Sequence, residues 1–583
     1  MLSAGFREVG NQGERLEQSL ANTARHYGIR MLGPNCLGLM RPGIGLDATF
    51  LDTFASNGRL ALVSQSGALC TAILDWSKPH QLGFSTVVSL GNAADVDFGD
   101  ILDYLVIDHN TDAILLYVEG VHDARAFMSG LRSAARAKPV IVLKAGRHKG
   151  GSLAAATHTG AMIGSDDAFD AALERAGVVR AMTFGQLFAA AAILSTGKRV
   201  RGNRLAIVTN GGGPGVLATD RAGDLCVKIT TLTTETIKAL DKTLPKHWSR
   251  NNPVDILGDT PPEKYGEVVA ACLKDPNVDG VLALLTPQAM SGPKEAAQAV
   301  IDAANKHSGK PVITCWMGET KVREARELFS ANNIPSFITP ERAIEAFAYL
   351  CHHQRNQQLL LQTPGPLTDS RQPDVEGARM IIEAVLAERR EMLSDTESKA
   401  ILNAFHIPCT QTMQARSAAE ALVHAESLGF PVVMKVSSPQ ISHKSDVGGV
   451  RINILNAPDV RTTFKSLVEE AQRLKPDAEI YGVTVEPMVS GTDVRELMVG
   501  VKRDPVFGPV IAFGAGGTMA EVLSDNAVAI PPLNRVLAQR LIDRTRVTKL
   551  IGPFRKMQSV DRTAVENVLL RISEMACELP HIQ

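Results

Sequence analysis

Short apolar runs that end in a turn and lead into a helix recur along this chain. Four of them stand out, at residues 59–63, 113–118, 140–144 and 204–209. Parallel strands buried on both faces read as continuous apolar runs, and the crossovers between them need helices. The sequence therefore predicts an α/β fold built on parallel sheets.

The chain divides into blocks at two places. A helical stretch near residues 166–197 and a polar segment at 198–203 separate the third apolar run from the fourth, which predicts two separate sheets. The loop at 362–367 is rich in proline and is typical of a linker, and a third block follows it. We therefore place the second sheet within residues 199–355, a linker at 356–375 and the third block at 376–583 of the 583 residues.

Two of the turns are built to receive an anion. The first apolar run continues into Ser64-Gln65-Ser66-Gly67, and the fourth continues into Asn210-Gly211-Gly212-Gly213. The first N–H groups of the following helix then point out of the carboxyl edge of the sheet. Ser64, Ser66, Gly67, Gly211 and Gly212 are the predicted phosphate-binding residues. The alternative is that these turns only close the backbone.

Two histidines lie in loops bounded by glycine. His158 stands in Ala156-Thr157-His158-Thr159-Gly160, and His443 stands in Ser442-His443-Lys444-Ser445-Asp446. Small hydroxyl residues and glycines leave room for a phosphoryl group on an imidazole ring, with N–H and hydroxyl groups to bind its charge. The sequence predicts two phosphohistidine loops, and the alternative is ordinary loop histidines that donate hydrogen bonds.

The third block carries a different pattern. The strand at residues 429–436 places Lys435 among apolar residues, where an ammonium group needs a compensating anion such as a nucleotide phosphate. The segment 482–489 predicts a strand whose Glu486 reads an adenine and ribose edge. The loop at 513–518, with Gly516 and Gly517, can fold over phosphates. The alternative for Lys435 is a surface lysine whose stem packs on apolar neighbours.

Composition excludes several classes of function. With 61 basic and 62 acidic residues and no long run of one sign, the chain has no nucleic-acid stripe and no polybasic membrane anchor. Its eight cysteines are scattered singly, without zinc-site spacing, which is typical of reduced thiols. No apolar run is long enough for a spanning helix, and the first ten residues contain Arg7 and Glu8 rather than the apolar stretch of a signal peptide. We expect a cytoplasmic protein that binds neither nucleic acid nor membranes.

These motifs resemble the NDP-forming acyl-CoA synthetases, relatives of succinyl-CoA synthetase, over essentially the whole chain. The resemblance implies an α/β multidomain protein. Segment 1–56 resembles the end of a Rossmann-like CoA-binding domain, and 57–198 and 199–355 resemble two flavodoxin-like synthetase domains, the first bearing the phosphohistidine. Segment 376–583 resembles an ATP-grasp domain that lacks its C-terminal end.

The same resemblance assigns roles to particular residues. Asn35 and Cys36, within Gly33-Pro34-Asn35-Cys36-Leu37-Gly38, match the CoA-binding part. Glu119 corresponds to the glutamate that positions and stabilises the phosphohistidine at His158. Lys435, His443 and Glu486 follow the ATP-grasp pattern, with His443 as a second histidine that passes the phosphoryl group to the nucleotide site.

The implied reaction is acyl-CoA + ADP + phosphate ⇌ acid + CoA + ATP, with acetyl-CoA as the expected acyl donor. An acyl phosphate would phosphorylate His158, and movement of a loop or domain would bring the phosphohistidine to His443. The implied cofactors are ATP or ADP, Mg²⁺ and coenzyme A as a substrate. The expected partners are these small molecules and further copies of the chain.

Two other functions remain open on the sequence. The same architecture forms the synthetase-like part of bacterial protein lysine acetyltransferases, although no acetyltransferase segment is present here. A non-catalytic scaffold is the other alternative.

Both ends of the chain depart from the family. Half of the CoA-binding domain and the strands that carry magnesium ligands are expected to be missing, so we expect very low activity and exposed sheet edges. Glu521 and Asp525 are the acidic residues left near the nucleotide loop, and a solvated helix face is the favoured interpretation of both.

Overall fold

The structure is a computed structural model that describes residues 1–78, 82–148, 150–151, 164–289, 291–361, 371–441, 443–491, 494–517, 525–553 and 557–582. The chain forms two units, Met1–Gln362 and Thr363–Gln583.

The first unit contains a seven-stranded sheet. Its strands are β1 (Gly38–Arg41), β2 (Leu46–Thr49), β3 (Asn57–Ser64), β4 (Phe84–Ser89), β5 (Ala113–Val118), β6 (Val140–Lys144) and β7 (Val179–Ala181). They lie in the order β2-β1-β4-β3-β5-β6-β7. The five strands from β4 to β7 in this order are mutually parallel, and their apolar side chains are buried. β1 pairs antiparallel with both β2 and β4, so the sheet continues across the segment boundary predicted at residue 57.

Helices connect these strands. They are α1 (Asn11–His26), α2 (Gly67–Ser77), α3 (Phe98–Ile107), α4 (Ala124–Ala137), α5 (Asp166–Ala176) and α6 (Phe184–Leu194). The predicted long helical stretch at 166–197 is wrong, because α5, β7 and α6 share it. Gly177 ends α5 in a left-handed conformation with φ of 79°, which suits a glycine at the end of a helix.

A second sheet follows in the same unit, as predicted. Its strands are β8 (Arg204–Thr209), β9 (Lys228–Ile229), β10 (Val254–Asp255), β11 (Gly280–Leu285), β12 (Val312–Trp316) and β13 (Ser336–Phe337). They lie in the order β10-β8-β11-β12-β13, with β9 also on β8, and every pair is parallel. The connecting helices are α7 (Gly212–Asp224), α8 (Thr234–Thr243), α9 (Pro262–Lys274), α10 (Pro293–Lys306), α11 (Arg323–Ala331) and α12 (Pro340–Leu360).

Helix α12 joins the two sheets of the first unit. Its residues Phe347 and Leu350 lie in one apolar core that includes strand residues from both sheets. The Asn356 side chain donates a hydrogen bond to the Val178 carbonyl at 3.0 Å. Residues 356–360, which the sequence assigned to a linker, are therefore the last turn of this helix. The predicted linker loop at 362–367 lies outside the described residues.

The second unit has two sheets. The first contains β14 (Met413–Ala415), β15 (Val432–Val436), β16 (Val450–Ile454) and β17 (Val483–Pro487), in the order β14-β17-β15-β16. The second contains β18 (Leu497–Asp504), β19 (Gly508–Ala515) and β20 (Asn526–Ala529). All pairs in both sheets are antiparallel.

Within the described ranges, seven helices accompany these two sheets. They are α13 (Val375–Ala387), α14 (Asp395–Ala404), α15 (Ala418–Leu428), α16 (Ala457–Leu474), α17 (Arg535–Asp543), α18 (Thr548–Ile551) and α19 (Arg562–Glu578). The prediction of a multidomain α/β protein is confirmed. None of the helices in the described ranges is long and apolar enough to cross a membrane.

Candidate functional site

The first glycine turn lies where β3 ends and α2 begins. The Ser64 hydroxyl accepts a hydrogen bond from the Ser66 N–H at 3.0 Å and donates one to the Ser66 carbonyl at 2.8 Å. Ser66 caps α2 by accepting from the Leu69 N–H. Ser64 is fully buried, so its hydroxyl shapes the turn, whereas Ser66 and Gly67 are half-buried and lie at the helix end. The helix end itself is the part of this turn suited to an anion.

Glu119 lies at the end of the neighbouring strand β5, beside this turn. Its residue is 7% exposed, and its backbone N–H donates to the Gln65 Oε1 at 2.6 Å. The Tyr117 hydroxyl hydrogen-bonds with the Glu119 carboxylate. Burial raises the pKa of Tyr117, and this carboxylate raises it further, so the phenol is held as a donor. The carboxylate predicted to orient a histidine is thus itself oriented at the carboxyl edge of the sheet.

The residues predicted to bind CoA lie at the same edge. The Asn35 side chain donates to Asn92 Oδ1 at 3.4 Å, just after β4. Leu37, two residues later, donates its backbone N–H to the Ser89 hydroxyl at 3.0 Å. Cys36 is 3% exposed and its thiol faces the carbonyls of Met1 and Leu32, so the thiol is a packing group. Asn35 keeps its prediction as a CoA-binding residue.

The second glycine turn repeats the construction of the first. The Thr209 hydroxyl accepts from the Gly211 N–H at 3.1 Å and donates to the Gly211 carbonyl at 2.9 Å. The Asn210 side chain accepts from the Thr286 N–H at 2.8 Å and donates to the Thr286 carbonyl at 2.9 Å, so it grips the end of β11. Gly212 is exposed at the start of α7. The first unit therefore has two helix ends of the same local geometry.

His158 lies outside the described residues, but both ends of the segment that carries it are defined. Lys144, at the end of β6, is 4% exposed and donates to the carbonyls of Ala145 and Gly146 at 3.2 and 3.1 Å. Its Nζ lies 3.7 Å from Asp166 at the start of α5, and Arg180 pairs with the same carboxylate at 2.6 Å. Ion pairs with Asp166 therefore join the strand before the His158 segment to the helix after it, and β6, which ends at Lys144, lies next to β5.

In the second unit, Lys435 was predicted to face the core, and this prediction is wrong. Val432, Met434 and Val436 are buried, and Lys435 points to the other face with its side chain 31% exposed. Strand side chains alternate, and α15 and α16 cover only one face of this sheet, with the apolar residues beneath them. The anion that compensates Lys435 is Glu486, whose carboxylate lies 3.1 Å from the ammonium.

Glu486 also pairs with a lysine that the sequence did not single out. Lys399 of α14 lies 3.1 Å from the Glu486 carboxylate and donates to the Thr410 and Thr412 hydroxyls at 2.8 and 2.5 Å. Burial raises the pKa of Glu486, but the two lysines lower it by more, so the pKa lies below its ordinary value. The Glu486 carboxylate, which was predicted to recognise a ribose, forms ion pairs with Lys399 and Lys435. No motif in the sequence marks Lys399.

We expect Glu486→Gln to lower the free energy of unfolding by about 1–3 kcal/mol at pH 7, since a buried charge pair is broken. A folded-state pKa below the ordinary 4.5 adds stability above that pH, and the addition is lost as the pH falls through the folded value. The difference between variant and parent should therefore shrink below about pH 4.5.

Urea unfolding at several pH values measures this difference. Glu470→Gln is the matched control, because Glu470 pairs with Arg451 at 2.7 Å with both side chains more than a third exposed. It should cost less than about 1 kcal/mol. A destabilisation by Glu486→Gln that is equal at pH 7 and pH 3.5 would contradict the ion-pair account.

His443 is exposed, and it begins a short 3₁₀ turn at Lys444–Val447. Its carbonyl accepts from the Asp446 N–H at 3.2 Å. Lys444 next to it pairs with Asp395 at the start of α14 at 3.0 Å. The same helix thus supplies contacts to the His443 turn and, through Lys399, to the Lys435–Glu486 pair.

Gly516 and Gly517 are required by close backbone packing. A Cβ on Gly516 would lie 2.9 Å from the backbone of Leu497, and Gly517 has φ of 79° against the Glu496 side chain. These contacts place the two glycines at the start of β18. That they also bind the nucleotide stays a prediction.

Asp525 is neither on a helix face nor in a metal cluster. Its carboxylate accepts from the backbone N–H groups of Arg546 and Val547, both at 2.7 Å. Glu521 lies outside the described residues. Within the described ranges, no three His, Cys, Asp or Glu side chains gather as a metal ion would require.

Comparison with known protein families assigns three parts of the chain. Residues 57–194 match the succinyl-CoA ligase like flavodoxin domain, residues 205–357 match the ligase-CoA domain, and residues 384–583 match an ATP-grasp domain.

Similar proteins cover the chain as a whole. The ADP-forming acetate–CoA ligase I of Archaeoglobus fulgidus is 39% identical over 100% of this chain and 83% of its own length. The ADP-forming 4-hydroxybutyrate–CoA ligase of Nitrosopumilus maritimus is 34% identical over 100% of this chain and 83% of its own length. Among solved structures, the acetyl-coenzyme A synthetase 1 of Ca. Korarchaeum cryptofilum, in complex with phosphate and ADP, has a TM-score of 0.59 at 35% identity. It covers 62% of this chain and 79% of its own.

Proposed function

Because the chain belongs to the family of NDP-forming acyl-CoA synthetases, we propose that it converts acetyl-CoA, ADP and phosphate into acetate, CoA and ATP through a phosphohistidine at His158. The observation that best supports this proposal is the arrangement of groups at the carboxyl edge of the first sheet. There the α2 helix end, the Glu119 carboxylate and the tied base of the His158 segment lie on the adjacent strands β3, β5 and β6.

The first two steps belong to this edge. A phosphate oxygen attacks the thioester carbon, the C–S bond breaks, and CoA leaves as a thiol after taking up a proton. A ring nitrogen of His158 then attacks the phosphorus of the acyl phosphate, and the P–O bond to the acyl group breaks to release the carboxylate. The N–H groups of Gly67 and Gly212, at the ends of two helices, bind the phosphate charge. Glu119 accepts a hydrogen bond from the N–H of the other ring nitrogen, orients the ring and balances the charge that develops on it.

The last two steps belong to the second unit. We propose that a ring nitrogen of His443 first attacks the phosphorus of the phosphohistidine at His158, so that a new P–N bond forms and the P–N bond to His158 breaks. A β-phosphate oxygen of ADP then attacks the phosphorus on His443, the second P–N bond breaks, and ATP forms. Lys435 binds the nucleotide phosphates. Lys435 exchanges its partner Glu486 for a phosphate when nucleotide arrives. Gly516 and Gly517 lie at the nucleotide in this proposal.

Cofactor binding follows the family. Mg²⁺ supplies counter-charge to the phosphates of ATP or ADP when bound. Since the described residues contain no three-ligand cluster, no step is assigned to it here. CoA binds near Asn35, which contacts the end of β4 beside the first turn.

Two further predictions, on cellular location and on oligomeric state, extend this proposal. We propose a cytoplasmic enzyme, supported by eight cysteines that form no disulfide bond with one another, as in a reducing compartment. We also propose a homo-oligomer, which light scattering of the purified protein would test. The relatives described above are synthetases and give no support to the acetyltransferase-related or scaffold alternatives.

The proposal predicts that purified protein forms ATP from acetyl-CoA, ADP and phosphate, and that kcat/KM for acetyl-CoA exceeds that for 4-hydroxybutyryl-CoA by about tenfold or more. A luciferase assay measures ATP, with reactions lacking phosphate as controls. ATP formation from 4-hydroxybutyryl-CoA alone would overturn the acetyl assignment. Absence of ATP formation with every acyl-CoA tested would overturn the function.

A further inference from the structure

Gln65 connects the phosphate-binding turn to Glu119. It lies between the two serines of the turn and is 7% exposed. Its Oε1 accepts from the backbone N–H groups of Glu119 and Gly120 at 2.6 and 3.0 Å, and its Nε2 donates to the Gly120 carbonyl at 2.9 Å. Every polar atom of this carboxamide therefore contacts the backbone that carries the Glu119 side chain.

These bonds span two strands at the point where regular pairing stops. Ser64 is the last residue of β3 and Val118 is the last residue of β5. The Gln65 N–H still donates to the Tyr117 carbonyl at 3.2 Å, and beyond this backbone bond the Gln65 side chain joins the backbone of Glu119 and Gly120 to the turn. A carboxamide with three short bonds in a buried site resists displacement, because each broken bond leaves a desolvated polar group.

The second glycine turn uses the same device. Asn210 also follows a hydroxyl residue and grips the backbone of Thr286 at the end of the next parallel strand. Both positions carry a carboxamide. Each carboxamide hydrogen-bonds to the backbone at the end of the neighbouring strand, beside the helix end proposed to bind the anion. In both sheets of the first unit, a carboxamide residue therefore stands at the same place in the turn.

We propose that Gln65 is a positioning residue that holds Glu119 at the distance and angle from the α2 helix end at which it orients the His158 ring. This role rests on the proposed function. Gln65 touches neither phosphate nor histidine in it. Its whole effect on the reaction passes through Glu119.

Gln65→Met keeps the length of the side chain and removes all three bonds. With saturating acetyl phosphate as donor, we expect the rate constant of enzyme phosphorylation to fall about tenfold, with little change in the donor concentration for half-saturation. In a Glu119→Gln background the same substitution should cost less than about threefold, because the group that Gln65 positions is already gone.

Asn252→Ala is the matched control for lost buried hydrogen bonds. Asn252 is a buried carboxamide that accepts from the Ile207 N–H at 2.9 Å and donates to the Leu205 and Thr230 carbonyls at 2.9 and 2.8 Å. It contacts no group of the site, so Asn252→Ala should lower stability and leave the phosphorylation rate constant unchanged.

Gln65→Glu is the second variant if Gln65→Met does not fold. It keeps the acceptor for the Glu119 and Gly120 N–H groups, and it should retain more of the rate at saturating donor than any variant lacking that acceptor, such as Gln65→Ala. Equal slowing by Gln65→Met in both backgrounds, or slowing by Asn252→Ala of the same size, would overturn the positioning role. A parent protein that is not phosphorylated at all overturns the proposed function instead, so the two failures are distinguishable.

Discussion

Replacing His158 with alanine removes the phosphoenzyme and lowers ATP formation from acetyl-CoA by about 10³-fold or more. The imidazole of His158 forms the P–N bond that takes the phosphoryl group from the acyl phosphate, and in the proposed relay His443 receives it only from His158. A loss of this size corresponds to about 4 kcal/mol of transition-state free energy. Since Ser66, Gly67 and Glu119 lie on other elements, their geometry should remain, and binding of the acyl phosphate should change little.

Labelling with radioactive phosphate measures this loss. The parent should carry label that is lost in acid and kept in base, as expected for a phosphohistidine, whereas His158→Ala should carry none. His443→Ala should be labelled like the parent by acetyl phosphate but should fail to pass the label to ADP. Label on His158→Ala at the parent's level, with none on His443→Ala, would show that the proposed order of the two histidines is reversed.

Glu119→Gln is expected to slow phosphorylation of His158 by about 10²-fold or more, as observed for groups that orient a catalytic histidine. The amide has the shape of the carboxylate, but it lacks the negative charge that balances the positive charge developing on the imidazole. Because Gln65 bonds only the backbone of Glu119, the substitution leaves those bonds in place. Folding should be intact.

Rapid-quench measurement of phosphoenzyme formation tests the role of Glu119. Glu566→Gln is a suitable control, because Glu566 is also a buried carboxylate, 4% exposed, and pairs with Arg535 and Arg562 in the second unit. It should affect stability and not this rate. A normal rate of phosphorylation in Glu119→Gln would make Glu119 a structural residue.

Local signals in the sequence predicted the features that depend on a few consecutive residues. The turns at Ser64–Gly67 and Asn210–Gly213 follow apolar runs, and each stands at the end of a strand where a helix begins. The separation of the first unit into two sheets was predicted from the stretch at 166–197 and the polar segment at 198–203, and two sheets are observed although that stretch is not one helix. The motif also contained Gln65 and Asn210, but their hydrogen bonds to Glu119 and Thr286 depend on which strands are neighbours, and strand order is not written in either motif.

Features that depend on tertiary contacts were predicted less well. The apolar run around Lys435 suggested that the lysine points inward, whereas α15 and α16 pack on the opposite face of that sheet, so the lysine lies on the face that carries Glu486. Lys399 reaches Glu486 from a helix that begins over thirty residues before β15. The helical stretch at 166–197 was predicted without its break, since a single glycine does not reveal that a short strand, β7, will join the sheet.

The clasp of Lys144, Asp166 and Arg180 sets an upper limit on how far the phosphoryl carrier can travel. His158 stands eight residues before Asp166 in the chain. A fully extended chain gains at most about 3.4 Å per residue, so His158 can never lie farther than about 27 Å from Asp166. This contour length is a property of covalent bonds, independent of the conformation of the segment. Because the ion pairs hold Asp166 beside Lys144 and Arg180, the acceptor of the phosphoryl group must come within that radius of the clasp, and breaking the ion pairs would free Asp166 without lengthening the chain between it and His158.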